Sequence, residues 1–181
     1  RLFFIGTNFN KDKEKNQEFI DRIFDEIEKQ KEKKQTNLID ALWGLRKISP
    51  SKVRNRRNFE SKEFGYTKDV INNKGNPPNY ILNINMGEVP SVVYNHKARY
   101  NNDRDIEIFR RLPPGGKSDH PSIRDIMPYK SRKNIFKDKF YKLLPNAPCK
   151  TITAHMKFDC HMYIHPSEAR VLTPREAARI Q

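Results

Sequence analysis

Apolar residues in this chain come in short bursts that proline, glycine or asparagine soon interrupts; Leu2-Phe3-Phe4-Ile5, for example, is closed at once by Gly6. Such a chain builds short elements joined by loops. No burst approaches the about 20 residues that a membrane-spanning helix needs, and the opening apolar run is too short for the core of a secretory signal. A hydrophobic fraction of 35% is low, yet 11 Phe, 7 Tyr and one Trp are too much aromatic material for a disordered polyelectrolyte. At 181 residues there is room for one domain or a pair of small lobes.

Charge narrows the function classes. With 36 Lys and Arg against 22 Asp and Glu, the net charge is +14, which calls for a polyanionic partner. Cys149 and Cys160 are the only cysteines, too few for a disulfide framework or a four-thiolate zinc site, and they point to the reducing cytoplasm.

Periodicity places the elements. Leu2-Phe3-Phe4-Ile5 reads as a buried strand. Phe19, Ile20, Ile23, Phe24 and Ile27 recur at helical spacing in a Lys- and Glu-rich background, with Asn10 or Asp12 as cap. A second helix follows Asn37 through Leu38, Ile39, Leu42 and Leu45. Strands are predicted around 80–84 and at Val92-Val93-Tyr94, and a helix capped by Asp103 runs through Ile106, Ile108 and Phe109 to the turn Pro113-Pro114-Gly115-Gly116. Residues 151–154 and 162–164 read as paired strands around a polar loop. Thr173-Pro174-Arg175-Glu176 opens the last helix: Thr caps, Pro takes the first helical position, and Glu176 sits where a capping box needs it. The fold class is α+β, a small mixed lobe of short strands and several helices. Two basic stretches flank its middle, 46–62 with Arg54, Arg56 and Arg57, and 130–142 with Lys130, Arg132 and Lys133. Such clusters suit phosphate contacts that give affinity without sequence information.

Several motifs resemble those of DNA (cytosine-5)-methyltransferases. Arg1-Leu2-Phe3-Phe4-Ile5-Gly6 is similar to the end of a Gln-x-Arg-x-Arg motif and the strand after it. His165-Pro166 followed by Arg170-Val171-Leu172-Thr173-Pro174-Arg175-Glu176-Ala177-Ala178-Arg179-Ile180-Gln181 resembles the late motif R-x-L-T-x-R-E-x-A-R. Asn95-His96-Lys97-Ala98-Arg99, Leu112-Pro113-Pro114-Gly115-Gly116 and Thr151-Ile152-Thr153-Ala154-His155 are similar to one bacterial branch.

The resemblance implies duplex DNA as partner, S-adenosylmethionine as the parent enzyme's cofactor, and a restriction endonuclease as a companion. It divides the chain into 1–9, a remnant of a catalytic-lobe strand; 10–164, a target recognition region with basic arms; and 165–181, the start of the late-motif helix. The first residues read as a core strand and the last as an unfinished helix, so the chain is expected to be a piece of a larger two-lobed enzyme whose catalytic lobe is α/β. Arg1 is implied to contact the extruded cytosine, Thr151 the DNA backbone beside it, and Arg170, Thr173, Arg175, Glu176 and Arg179 to hold the recognition lobe in place. The family's cofactor loop and nucleophile are expected before Arg1, leaving this segment inactive alone.

Three lures are set aside on spacing. Pro148-Cys149 lies shortly before the late motif, the wrong place for the family's Pro-Cys nucleophile, and Lys150 alone is weak support for a thiolate. His155, Asp159, Cys160, His161 and His165 lack any zinc-site spacing. Gly115-Gly116-Lys117-Ser118 lacks the first glycine of a phosphate loop. The rival class is a non-catalytic basic nucleic-acid-binding module, such as an RNA binder with aromatic stacking platforms. A stand-alone binder has no need of the 170–181 motif.

Overall fold

The structure is a computed structural model and describes residues 13–29, 35–54, 59–72, 75–129, 137–153 and 160–181. The chain divides into two compact units, one ending at Gln35 and the other beginning at Thr36. In the first, α1 (Lys13–Lys29) has the expected amphipathic spacing, and none of its residues is buried. Gln17 to Asp21 and Lys29 to Glu26 link successive turns of its polar face at 2.7 and 2.6 Å. The caps expected at Asn10 or Asp12, and the strand at Leu2-Phe3-Phe4-Ile5, lie outside the described residues.

In the second unit the described elements run α2 (Leu38–Ala41), β1 (Gly65–Val70), α3 (Asn79–Ile84), β2 (Val92–Lys97), α4 (Asp103–Arg111) and α5 (Pro174–Ile180), with 3-10 turns at Pro121–Ile123, Lys137–Lys139 and Cys160–Tyr163. The strands β1 and β2 form an antiparallel pair, Gly65 opposite Lys97 and Val70 opposite Val92. This is the small mixed α+β fold expected. Gly65 opens β1 at φ +88°, and a Cβ there would stand 2.2 Å from the His96 carbonyl oxygen, so backbone meets backbone where no side chain fits.

The core has two apolar clusters that meet along one extended pairing. Ile164 pairs antiparallel with Val171 and parallel with Lys142. Because side chains alternate along extended chain, Ile164 and Val171 join Ile108, Phe109, Leu112, Ile123 and Phe140. Their neighbours Tyr163 and Leu172 join Leu38, Leu143, Ile152 and Ala177. The Lys142 ammonium is buried with them and donates to the Phe109 carbonyl at 2.9 Å, putting a cation at the C-terminal end of α4.

The fold corrects several expectations. Residues 79–84 form helix α3, not a strand: Pro78 sets φ −59°, its carbonyl accepts from Ile81 and Leu82, and one buried residue, Ile81, gives the segment a single inward face. Met86 (φ 57°) and Gly87 (φ 90°) then end it. The hairpin expected from 151–154 and 162–164 does not form among the described residues: Cys160–Tyr163 is a 3-10 turn, and Ile164 pairs with Val171 instead. Helix α2 stops at Ala41, before Leu42 and Leu45. The cap of α4 is Asn102, which accepts from Asp105 N–H at 2.8 Å, and not Asp103. Strand β1 has no alternating apolar pattern in the sequence because its polar residues mask it; its buried Asp69 is held by Arg46 at 2.7 Å.

Replacing Gly65 with Ala is expected to destabilise the second unit by at least about 1–2 kcal/mol, the ordinary cost of a left-handed L-residue, with the clash at His96 added. Chemical denaturation of the variant measures it, and an unchanged midpoint would show that β1 can open without loss.

Candidate nucleic-acid interface

The late motif is buried, not a solvated charged helix face. Thr173 accepts from Glu176 N–H at 3.2 Å, and the Glu176 carboxylate accepts from Thr173 N–H at 2.7 Å, completing the capping box of α5. That carboxylate also receives a bidentate guanidinium: Arg170 Nη1 and Nη2 donate to its two oxygens at 2.8 and 2.7 Å. Both side chains are about 1% exposed. Arg170 further donates to Val171 O, Ile48 O and Glu168, the last at 2.9 Å, and Glu168 accepts from Ile48 N–H at 3.0 Å.

Two buried histidines complete the cluster, and their bonds fix their tautomers. His165 Nδ1 accepts from the backbone N–H of Ser167 and Glu168 at 3.2 and 3.0 Å, so that nitrogen carries no proton. His96 Nε2 lies 2.8 Å from the Arg46 carbonyl, an acceptor only, and so donates; its Nδ1 takes the Thr173 hydroxyl proton at 3.2 Å. A directed chain results, from Glu176 N–H to the Thr173 hydroxyl to His96 to the Arg46 carbonyl. Burial pushes the pKa of both histidines down, that of His165 to about 4 despite the nearby carboxylates. Arg170 overcomes the burial of Glu176 and holds its carboxyl at about 2.

The remaining motif arginines bind backbone from other segments. Arg175 Nε donates to Tyr94 O in β2 at 2.6 Å. Arg179 Nη1 donates to Ala41 O and Trp43 O at 3.2 and 2.6 Å, and Tyr80 donates its hydroxyl to Arg179 O. Within this chain Arg170, Thr173, Arg175, Glu176 and Arg179 therefore tie the Ile48 segment, β2, α2 and α3 to α5.

The candidate DNA contacts are more dispersed. Thr151 is exposed, as is Thr153, while Ile152 between them is buried in the core. The neighbouring Lys150 ammonium rests over the rings of Tyr141 and Tyr163, at 5.6 and 5.5 Å. Arg54 is exposed over the ring of Tyr100, 5.2 Å from its centre. Arg1, Arg56, Arg57, Lys130, Arg132 and Lys133 lie outside the described residues. Other cations of the basic stretches are already engaged: Lys52 pairs with Asp103, Lys137 with Asp119, and Lys139 sits over Tyr129. Nothing in the spacing marked His96 as a partner of Thr173, or Tyr163 as more than an apolar residue; both matter because distant segments converge on them.

Burial pushes the Cys149 thiol up to about 11, which keeps it protonated at neutral pH, the wrong state for a nucleophile. Among the described residues no cluster of His, Cys, Asp and Glu could hold a metal ion, and no helix is long and apolar enough to cross a membrane. Gly115 (φ +81°) belongs to a turn that closes by donating its N–H to Lys142 O at 2.7 Å.

The titrations of the cluster share one sign. His165 is depressed from about 6.5 to about 4, so unfolded chain takes up its proton first, and the stability it contributes above pH 6.5 is lost as pH falls through 4. Glu176 is depressed from about 4.5 to about 2, so its contribution is full above 4.5 and lost on approach to 2. Denaturant midpoints are therefore expected to fall steadily from pH 7 towards pH 4 and further below it. At neutral pH, Glu176→Gln is expected to cost about 3–5 kcal/mol, since it strands a buried guanidinium. Flat stability between pH 7 and 4 would mean that the histidines are solvated.

The family model for C-5 cytosine-specific DNA methylase matches residues 1–181. A putative type II methyltransferase of Oceanobacillus iheyensis is 40% identical over 58 residues, 32% of this chain and 12% of that protein. A type II methyltransferase of Brevibacillus brevis is 28% identical over 96 residues, 53% of this chain and 25% of its own length. One of Thalassovita gelatinovora is 35% identical over 80 residues, 44% and 18% of the two chains. The chain thus spans at most about a quarter of these relatives where it matches them. No solved structure matches. With its family matched from end to end and the motif of that resemblance built into a buried cluster, this chain belongs to the C-5 cytosine-specific DNA methylase family.

Proposed function

We propose that this chain is the target-recognition part of a DNA (cytosine-5)-methyltransferase that methylates cytosine in duplex DNA with S-adenosylmethionine. The observation that carries the reading is the family match over residues 1–181. In this reading 1–9 belongs to the catalytic lobe, 10–164 recognises DNA, and 165–181 begins the late-motif helix. Arg1 meets the extruded cytosine, and Thr151 gives a hydrogen bond to a phosphate oxygen beside it. Arg54, Arg56, Arg57, Lys130, Arg132 and Lys133 supply phosphate contacts that set affinity and register. Arg170, Thr173, Arg175, Glu176 and Arg179 hold the framework on which those contacts are mounted and brace it against the catalytic lobe. The type II relatives suggest a cognate restriction endonuclease as a companion of the parent enzyme.

The methyl donor belongs elsewhere in the parent. In open α/β folds nucleoside-containing cofactors bind at the carboxyl ends of parallel strands, beside a glycine-rich turn. The described residues hold one antiparallel strand pair, and that supports placing S-adenosylmethionine outside them. In this reading attack on cytosine by a thiolate, and the transfer itself, belong to the catalytic lobe of the parent enzyme.

A basic RNA-binding module remains the alternative, and binding assays separate the two. The isolated chain is expected to bind duplex DNA weakly, with log affinity falling linearly against log salt, by about 0.9 per phosphate neutralised. Affinity that ignores salt, or that favours single-stranded RNA, would count against the reading. In the full-length enzyme Thr151→Ala is expected to lower kcat/KM about fivefold, the worth of one hydrogen bond of about 1 kcal/mol, and Thr153→Ala by less. Equal and negligible losses in a methyl-transfer assay would reduce Thr151 to a surface residue.

A further inference from the structure

We infer that Tyr163 is a positioning residue for the Thr151 contact: its buried hydroxyl fixes the backbone on both sides of Ile152 and so determines where the Thr151 side chain stands. The inference rests on the reading of Thr151 given above and deepens it.

Residues 151–153 belong to no strand or helix. Their backbone groups therefore need partners outside any ladder. Tyr163 provides two with one atom: its hydroxyl donates to Thr151 O at 3.0 Å and accepts from Thr153 N–H at 3.0 Å. Its oxygen is also 3.3 Å from the Thr153 hydroxyl. Only a group that both donates and accepts can bridge a tripeptide in this way, and phenylalanine cannot. Tyr163 is fully buried, and the side chain of Ile152 enters the same cluster, so the tripeptide is pinned at three points with the Thr151 side chain left outside. The ring carries the Lys150 ammonium at 5.5 Å. One aromatic residue therefore arranges 150–153: a cation on its face and two backbone groups at its tip. Tyr163 is itself held by its carbonyl, which accepts from Leu172 N–H at 3.0 Å, immediately before the capping residue Thr173.

A phosphate contact made by a single hydroxyl depends on distance, and loosening the segment that carries it weakens the contact without touching the hydroxyl. Tyr163→Phe does this, since it keeps the ring, its volume and the face under Lys150 and removes only the bridging oxygen. The test is a double-mutant cycle in the full-length enzyme with Tyr163→Phe, Thr151→Ala and the pair, reading kcat and KM for DNA separately and melting temperature for folding. Tyr163→Phe is expected to raise KM for DNA about fivefold, with kcat changed by less than about twofold, and the pair to be no worse than Thr151→Ala alone. Losses that multiply in the pair would show that Tyr163 acts independently of Thr151 and overturn the inference. A silent Tyr163→Phe beside an impaired Thr151→Ala overturns it while the reading of Thr151 stands; a silent Thr151→Ala overturns both. If Tyr163→Phe does not fold, 4-aminophenylalanine at position 163 keeps a polar tip of similar size but donates less strongly to Thr151 O and accepts poorly from Thr153 N–H. A raised KM there supports the inference, and an unchanged KM overturns it.

Discussion

The contact on which the rest of this fold depends is the buried pair of Arg170 and Glu176. Two charges removed from water repay their desolvation only when geometry is close and the remaining donors and acceptors are filled. Here they are filled from three directions. The Glu176 carboxylate takes the bidentate guanidinium and the Thr173 N–H, while Arg170 also serves Val171 O, Ile48 O and Glu168. The helix cap of α5 and the ion pair share a carboxylate, so neither forms fully without the other. A seven-residue helix is too short to persist alone in water; this one exists because its first turn is locked into the core.

The neutral histidines explain why so much polarity is tolerated there. A protonated His165 would lose the two backbone donors that its Nδ1 accepts. A protonated His96 would turn a donor towards the Thr173 hydroxyl, which already spends its proton on that nitrogen. Each ring is thus committed to one protonation state by its neighbours, and burial reinforces the choice. The cluster keeps a single hydrogen-bond direction at neutral pH, which fixes the Arg46 segment, β2 and α5 to one another. Acid attacks this arrangement before it attacks the apolar clusters.

What could be read from the sequence was what local chemistry decides. The capping box of α5, the amphipathic spacing of α1, the position of β2 and the apolar stripe of α4 are each contained within a few residues, and each stands in the structure. Residues 79–84 are ambiguous in the sequence because Tyr80, Ile81 and Leu82 suit a strand as well as a helix, and Pro78 and a single burial at Ile81 make the choice. The hairpin expected at 151–164 gives way because Ile164 pairs with Val171, a partner no short-range pattern reveals. The candidate site divides in the same way. Thr151 stands exposed within the segment that carries the resemblance, but its backbone is held by Tyr163, twelve residues on, through a hydroxyl that periodicity does not register.

The late-motif cluster and the Thr151 segment are nevertheless parts of one framework. Tyr163 and Ile164 point into different clusters, as do Leu172 and Val171 opposite them, so the pairing of these four residues forms the wall between the two cores. One end of that wall leads through Leu172 into Thr173, Glu176 and Arg170; the other leads through the Tyr163 ring to Lys150 and the exposed Thr151. Leu172 stands directly before the capping residue Thr173, and its N–H holds the carbonyl of Tyr163. The late motif is thus joined to the Thr151 segment through the core, with no direct contact between the two needed. From the ion pair to Thr151 the path runs one residue at a time, through packed side chains and single hydrogen bonds, and it ends on a segment that has no ladder of its own.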